Sequence, residues 1–213
     1  MQDITQIQKS FIVLSSGRTG SVFLALNIAK QFNKLLTQLD LDPLKFENNP
    51  AERIIVHSHH HHPPIDTNEY VRVFNIRKDI VMSAISMIIA RHYKLYHHYR
   101  NQSYLPIEPF IFSDWQQLDD QCNRIIMWQT FYMSTLTDKD SVIVYETLMN
   151  KIPATAIKQV YPNKENIVLN YQEMIDYVTE KYAADMLKNA QIFLDHENLS
   201  DPIYNMDKDF RLF

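Results

Sequence analysis

The stretch that decides the reading is "FIVLSSGRTGSVFLALNIA", residues 11–29. It opens with an apolar, β-branched run (11–15), passes through S-S-G-R-T-G-S, and continues with apolar residues at helical spacing from Val22 to Leu36. A short apolar run ended by Ser and Gly predicts a buried strand, and the 3.6-residue spacing that follows predicts a helix. Gly17 and Gly20 are the only two glycines among 213 residues. Glycine takes φ > 0 at little cost and lets backbone N–H groups approach an anion. The helix contributes the partial positive charge of its N-terminus, and Thr19 and Ser21 contribute hydroxyl donors. The loop therefore reads as a cradle for a phosphate-like group, built from Ser16, Gly17, Arg18, Thr19, Gly20 and Ser21. A plain tight turn leaves unexplained why Arg, Thr and Ser accompany both glycines.

Working outward, "RIIVHS" (53–58), "YVRVFNI" (70–76), "SVIVYETL" (141–148) and "ENIVLN" (165–170) have strand character. Between them lie helical patterns. "RKDIVMSAISMIIARHYKLYHHY" starts at an N-cap Asp79, "CNRIIMWQTFYMSTL" covers 122–136, and a long amphipathic helical region covers 171–195. Strands alternating with helices predict right-handed βαβ crossovers, hence a three-layer α/β fold around a mostly parallel sheet of four or five strands. Ligands of such sheets bind beyond the carboxyl ends of the strands. Four features fall there: Ser15–Ser21, His57–His62, Arg77–Lys78 and Tyr145–Glu146.

Composition narrows the class. Hydrophobic residues at 46% and charged residues at 22% are ordinary for a globular domain, and residues 1–213 show no repeat, linker or composition break. A single domain is expected. A net charge of −4 argues against a nucleic-acid partner. One cysteine, Cys122, precludes an internal disulfide and fits a reducing compartment, where it serves as a small buried hydrophobe. The opening "MQDITQIQKS" lacks a signal pattern and no apolar run approaches ~18 residues, so a cytoplasmic protein without membrane insertion is expected.

The glycine loop is not a Walker A motif, which needs four residues between its glycines and then Lys. Nor does a later strand end in the Asp that would hold Mg²⁺; "VIVYET" ends in Tyr-Glu. A sulfuryl group carries less charge than a transferred phosphoryl group, so one cation and backbone amides can suffice for it. "LSSGRTGSVFL" resembles the 5′-phosphosulfate loop of sulfotransferases that use 3′-phosphoadenosine 5′-phosphosulfate (PAPS), a strand followed by [KR]-[ST]-G-[ST] and a helix. "VFNIRKDIVMSAISMIIA" is similar to that family's second signature, a strand ending in Arg with a helical Ser about eight residues on; its form is nearest to the bacterial glycolipid-type enzymes. Asp79, Ser83 and Ser86 share one stripe of the helix. "VIVYETLMNKIP" resembles the family's Y-E-[DN]-L segment, and "IIMWQTFY" its Trp-bearing helix. The resemblance spans about residues 11–153.

What the resemblance implies is a P-loop-containing nucleoside triphosphate hydrolase-like fold and an enzyme that transfers a sulfuryl group from PAPS to a hydroxyl acceptor, a small molecule or glycan, with no metal required. Arg18 stands where the family has its catalytic cation. Arg77 and Ser86 are the main pair for the 3′-phosphate, with Lys78, eight residues before Ser86, open as the alternative cation. Glu146 holds neighbouring loops by hydrogen bonds, and Trp128 belongs to the core rather than to an adenine site. The R-K-G loop of phenol-type enzymes is absent, since no glycine follows Gly20; Lys164 is the candidate to replace it in part. "IIVHSHHHH" resembles the phenol-type strand ending in K-T-H, which makes His59 the expected general base, with His57 and His61 on the same strand face as alternatives. Glycolipid-type enzymes can use a carboxylate, for which Glu47 and Glu52 stand open. A metal at the histidine run is disfavoured, because adjacent strand residues point to opposite faces and no Cys pair or acidic motif completes a set. The aromatic segment Tyr93–Leu118 is expected to line the acceptor site. The rival readings are a kinase-like P-loop nucleotide-binding enzyme and a nucleotide-binding homologue without turnover.

Overall fold

The computed structural model describes residues 10–17, 21–38, 53–57, 67, 70–94, 108–151 and 164–205. They form an α/β fold around a five-stranded sheet in the order β2-β3-β1-β4-β5, with every pairing parallel. The strands are β1 (Phe11–Ser15), β2 (Leu35–Gln38), β3 (Arg53–His57), β4 (Val71–Ile76) and β5 (Ser141–Val144). β1 is central and buried along its whole length, which is why its sequence runs apolar without alternation.

Its two faces carry different helices. Phe11 and Val13 join Val73 and Ile143 against Phe23, Leu24 and Ile28 of α1 (Ser21–Gln31). Ile12 and Leu14 join Phe74 and Val142 against Trp128 and Tyr132 of α3 (Trp115–Met133) and Phe193 of α7 (Ala183–Leu194). Helix α2 (Ile80–His92) packs on α3, α7 and α6 (Tyr171–Lys181) through Ile85, Ile88 and Leu118. Asp79 caps α2 as the sequence predicts, its carboxylate accepting the Met82 N–H at 3.0 Å. Among the described residues no helix is long and apolar enough to cross a membrane.

Several element boundaries differ from the sequence reading. The helix after the glycine loop stops at Gln31, and Leu35 and Leu36 belong to β2. Asn33 takes φ 51°, and the Lys34 N–H returns to the Ala29 carbonyl at 2.8 Å, a six-to-one closure that ends the helix with Asn in the glycine position. The strand expected over 141–148 ends at Val144, and Tyr145–Asn150 forms α4. Residues 165–170 do not make a strand: Lys164–Ile167 is a short helix, α5, and Val168 alone bridges to Phe110. The C-terminal helix is two helices, broken at Tyr182 (φ −129°). Helix α3 begins seven residues before Cys122 and so takes in Trp115 and Leu118.

Two polar clasps lie outside the expected site, and the sequence reading missed both. Arg72 of β4 is bound side-on by Asp140 (Nε–Oδ1 2.8 Å, Nη2–Oδ2 2.6 Å), with both side chains buried. Asp119 of α3 accepts hydrogen bonds from the Tyr177 and Tyr182 hydroxyls (2.8 and 2.7 Å) and from Lys181 Nζ (2.9 Å), tying α3 to the α6–α7 break. Burial raises the Asp119 pKa, but these three donors outweigh it and leave the carboxyl below its ordinary value. Neighbouring Cys122 is pushed up to about 12, first by burial and then by the Asp119 charge, so its thiol stays protonated and inert.

Replacing Asp140 by Asn leaves a buried guanidinium without its counter-charge. The expected cost of about 3–5 kcal/mol lowers Tm by roughly 10 °C in a thermal melt, whereas exposed Asp138→Asn shifts it by less than about 2 °C. Asp119 supplies a pH signature. Its folded pKa is depressed, so its contribution is full above the unfolded value near ~3.9 and is lost as pH falls through the folded value. Asp119→Asn is expected to lower Tm at pH 7 and to flatten the fall in Tm below about pH 4. A variant curve that merely runs parallel to the wild-type curve would exclude this carboxylate as a source of acid sensitivity.

Candidate functional site

The chain leaves β1 into α1 on one face of the sheet and leaves β4 into α2, which packs with the helices of the other face. Between two adjacent strands whose connections diverge in this way, a crevice opens at their carboxyl ends. Ser15 of β1 stands beside Asn75 of β4 at its mouth, both fully buried.

On the β1 side, Gly17 has φ 95°, the left-handed region where a Cβ is costly. Its N–H is turned toward Ser15 Oγ at 3.4 Å, and its carbonyl accepts the Ser83 hydroxyl of α2 at 3.0 Å. Ser16 and Ser21 flank the turn and are buried, and no acidic residue occupies the first turn of α1. Arg18, Thr19 and Gly20 lie outside the described residues, as do His59, His61, Glu47 and Glu52. The backbone of His57 ends β3 beside Leu14 of β1.

On the β4 side the turn into α2 is held by Glu146, the role the sequence assigned to it. Its carboxylate accepts the N–H groups of Lys78 (2.9 Å) and Asp79 (3.2 Å) and lies 3.4 Å from Arg77 Nε. That last pair is close enough to attract but is not aligned as a hydrogen bond, and Arg77 Nε has no such partner among the described residues. The Arg77 guanidinium also lies over the Tyr145 ring, 5.0 Å from its centre. The two candidate cations are thus separated: Arg77 is turned inward, while the Lys78 ammonium is half exposed and 3.9 Å from Glu197.

Ser83 and Ser86 are both buried on α2, one turn apart. Of the described residues it is Lys164, rather than Arg77 or Lys78, that meets Ser86, its Nζ donating to Oγ at 2.7 Å. From the start of α6, the Tyr171 hydroxyl donates to Met82 Sδ at 3.0 Å. Burial raises the Tyr171 pKa, helped by the charges of Asp79 and Glu165 and opposed by Arg77, so this phenol keeps its proton and stands among the same charges. Tyr171 escaped the sequence reading because it lies outside any phosphate-binding motif; Tyr145 stands among the strand-end residues of that reading, which did not foresee its contact with Arg77.

Trp128 is buried against Phe74, Tyr132 and Phe193, which assigns it to the core as expected. The flanks of the aromatic segment are also packed into the protein. His92 stacks on Phe110 at 3.6 Å, and Phe112 pairs its N–H and C=O with the Asn170 amide, each at 2.8 Å. Among the described residues no group of three His, Cys, Asp or Glu side chains is placed to hold a metal ion. Comparison with family models, with curated proteins and with solved structures finds no match for this chain.

Removing the Glu146 carboxylate strips the acceptor from two N–H groups at once. Glu146→Ala is expected to cost about 1–2 kcal/mol, a fall in Tm of roughly 3–6 °C, with Glu146→Gln intermediate because one carbonyl oxygen remains. An unchanged Tm in the Ala variant would remove Glu146 as the brace of the β4–α2 turn.

Proposed function

We propose that this protein is a sulfotransferase with a P-loop-like fold, which transfers a sulfuryl group from PAPS to a hydroxyl acceptor. The observation that carries the reading is the Ser83–Gly17 hydrogen bond at 3.0 Å. It joins the two segments that resemble the family's 5′- and 3′-phosphate signatures across one crevice, at the edge of the sheet where a nucleotide is expected. The residues fit such a donor. Gly17 turns at a φ of 95°, where a Cβ is costly, while Arg77, Ser86 and Lys164 carry donor groups on the opposite wall.

PAPS, when bound, supplies a sulfuryl group joined to its 5′-phosphate through a breakable S–O bond. The chain's part is to hold both anionic ends and to offset developing charge. In this proposal the loop amides with Thr19, Gly20 and Ser21 take the 5′ end. Arg18 stabilises the negative charge that grows on the bridging oxygen. His59 takes the acceptor's proton, for which an imidazole titrating near ~6.5 is suited at neutral pH. Fixing the donor at both ends lowers the entropic cost of reaching the reactive arrangement.

Thermal unfolding with adenosine 3′,5′-bisphosphate (PAP), with ADP, and with ATP plus Mg²⁺ tests the proposal. A ligand at 100 times its Kd adds about 2.7 kcal/mol. A rise of several degrees with PAP and little with ADP is expected; a rise with ATP–Mg²⁺ alone would replace the sulfotransferase reading by a kinase-like one. Arg18→Ala is expected to abolish transfer while leaving the PAP-induced rise in place, because its role is in the transition state.

A further inference from the structure

Helix α6 is pinned at its start from two sides. Asn170, its N-cap, pairs its side-chain amide with the N–H and C=O of Phe112, each at 2.8 Å. Tyr171, the next residue, donates its hydroxyl to the Met82 sulfur of α2 at 3.0 Å. A thioether is a weak acceptor, so this second contact depends on close packing and on the sulfur keeping its lone pair. Both side chains are half-buried, and Tyr171 packs against the cluster that contains Ile80, Ala84 and Ile85 of α2. The contact thus joins α6 to the first turn of α2, one residue from Ser83 and its bond to the Gly17 carbonyl.

Oxidation of that sulfur removes the contact. In the reaction with hydrogen peroxide a sulfur lone pair attacks one peroxide oxygen and the O–O bond breaks. The leaving hydroxide takes the proton from the newly bound oxygen and departs as water, so sulfur is oxidised and the peroxide reduced. The apolar side chain becomes a polar sulfoxide. If the new oxygen takes the lone pair facing Tyr171, it enters a gap of 3.0 Å. An O–H···O bond alone needs about 2.7 Å, so the phenol has to withdraw. If the oxygen takes the other lone pair, the sulfur left facing Tyr171 is electron-poor and ceases to accept. Either epimer parts Tyr171 from Met82.

We propose that Met82 is a peroxide-reactive modification site, whose sulfoxide releases the start of α6 from α2 until a sulfoxide reductase restores the thioether. Met87, Met174 and Met186 are buried, whereas Met82 is half-buried and within reach of a small oxidant. Met127 is 49% exposed and supplies an oxidisable sulfur on another helix. The inference stands apart from the donor reading above, since it concerns only the seam between α2 and α6.

Peroxide treatment of wild type, Met82→Leu and Met127→Leu, followed by peptide mass mapping and thermal unfolding, tests this. Met82 sulfoxide is expected in wild type and in Met127→Leu, with Tm lowered by about 3 °C or more, whereas treated Met82→Leu loses less than about 1 °C. Methionine sulfoxide reductases of both epimer specificities are expected to return the wild-type Tm. Four results each overturn the proposal: a Met82 that stays a thioether after Met127 is converted, a Met82 sulfoxide with unchanged Tm, an equal loss in Met82→Leu, or a Tm that stays low once the sulfur is reduced. Should Met82→Leu fail to fold, Tyr171→Phe takes its place. It vacates the space of the hydroxyl, so oxidation is expected to lower its Tm by less than half the wild-type amount; an equal fall overturns the assignment.

Discussion

Everything in this fold follows from placing β1 in the middle of an all-parallel sheet. Parallel neighbours cannot be joined by a tight turn, so each connection must cross over the sheet, and such crossovers are right-handed. Going from β1 toward β2 and β3 on one side, and then to β4 and β5 on the other, sends α1 and α2 to different helix layers. The divergence leaves a crevice at the end of β1, at the point where Gly17 turns the chain. The position of the candidate site is therefore a consequence of strand order.

Polar groups then fix that opening. Glu146 stands at the exit of β5 but holds the exit of β4, because the two strands are neighbours and end together. Further out, the Tyr204 hydroxyl accepts the Val144 N–H at 2.8 Å and donates to Glu197 at 2.7 Å, closing the free edge of β5 with the C-terminal segment. Asn27 reaches the same segment through the Ile203 carbonyl at 3.3 Å. Residues after position 195 thus brace β5 and helix α1, and a bracing carboxylate sits one residue from the ring that holds Arg77.

What could be read in advance was local. The apolar run 11–15, the cap at Asp79, the buried thiol of Cys122 and the core placement of Trp128 depend on spacing and side-chain character over a few residues. The same reasoning went astray where a distant partner decides. "ENIVLN" looks like a strand, yet only Val168 finds a neighbouring segment, and the residues before it close a helical turn. "SVIVYETL" stops being a strand once β4 ends and Glu146 is drawn under the β4–α2 turn. Leu35 and Leu36 fit a helical stripe, but Asn33 turns the chain first. Lys181 and Asp119 are 62 residues apart and Arg72 and Asp140 are 68 apart, so no window of sequence contains either clasp.

By itself the sequence determined the glycine loop between strand and helix, the polar stripe Asp79–Ser83–Ser86 and the alternation that demands a parallel sheet, because each is a matter of φ preference or periodicity within one element. Only the tertiary structure decided which cation meets Ser86. The spacing along the chain offers Arg77 and Lys78, but the packing of α5 against α2 brings Lys164 to it, and Glu146 draws Arg77 toward itself. Which charges meet is set by which backbones pack together, and that depends on every crossover between them.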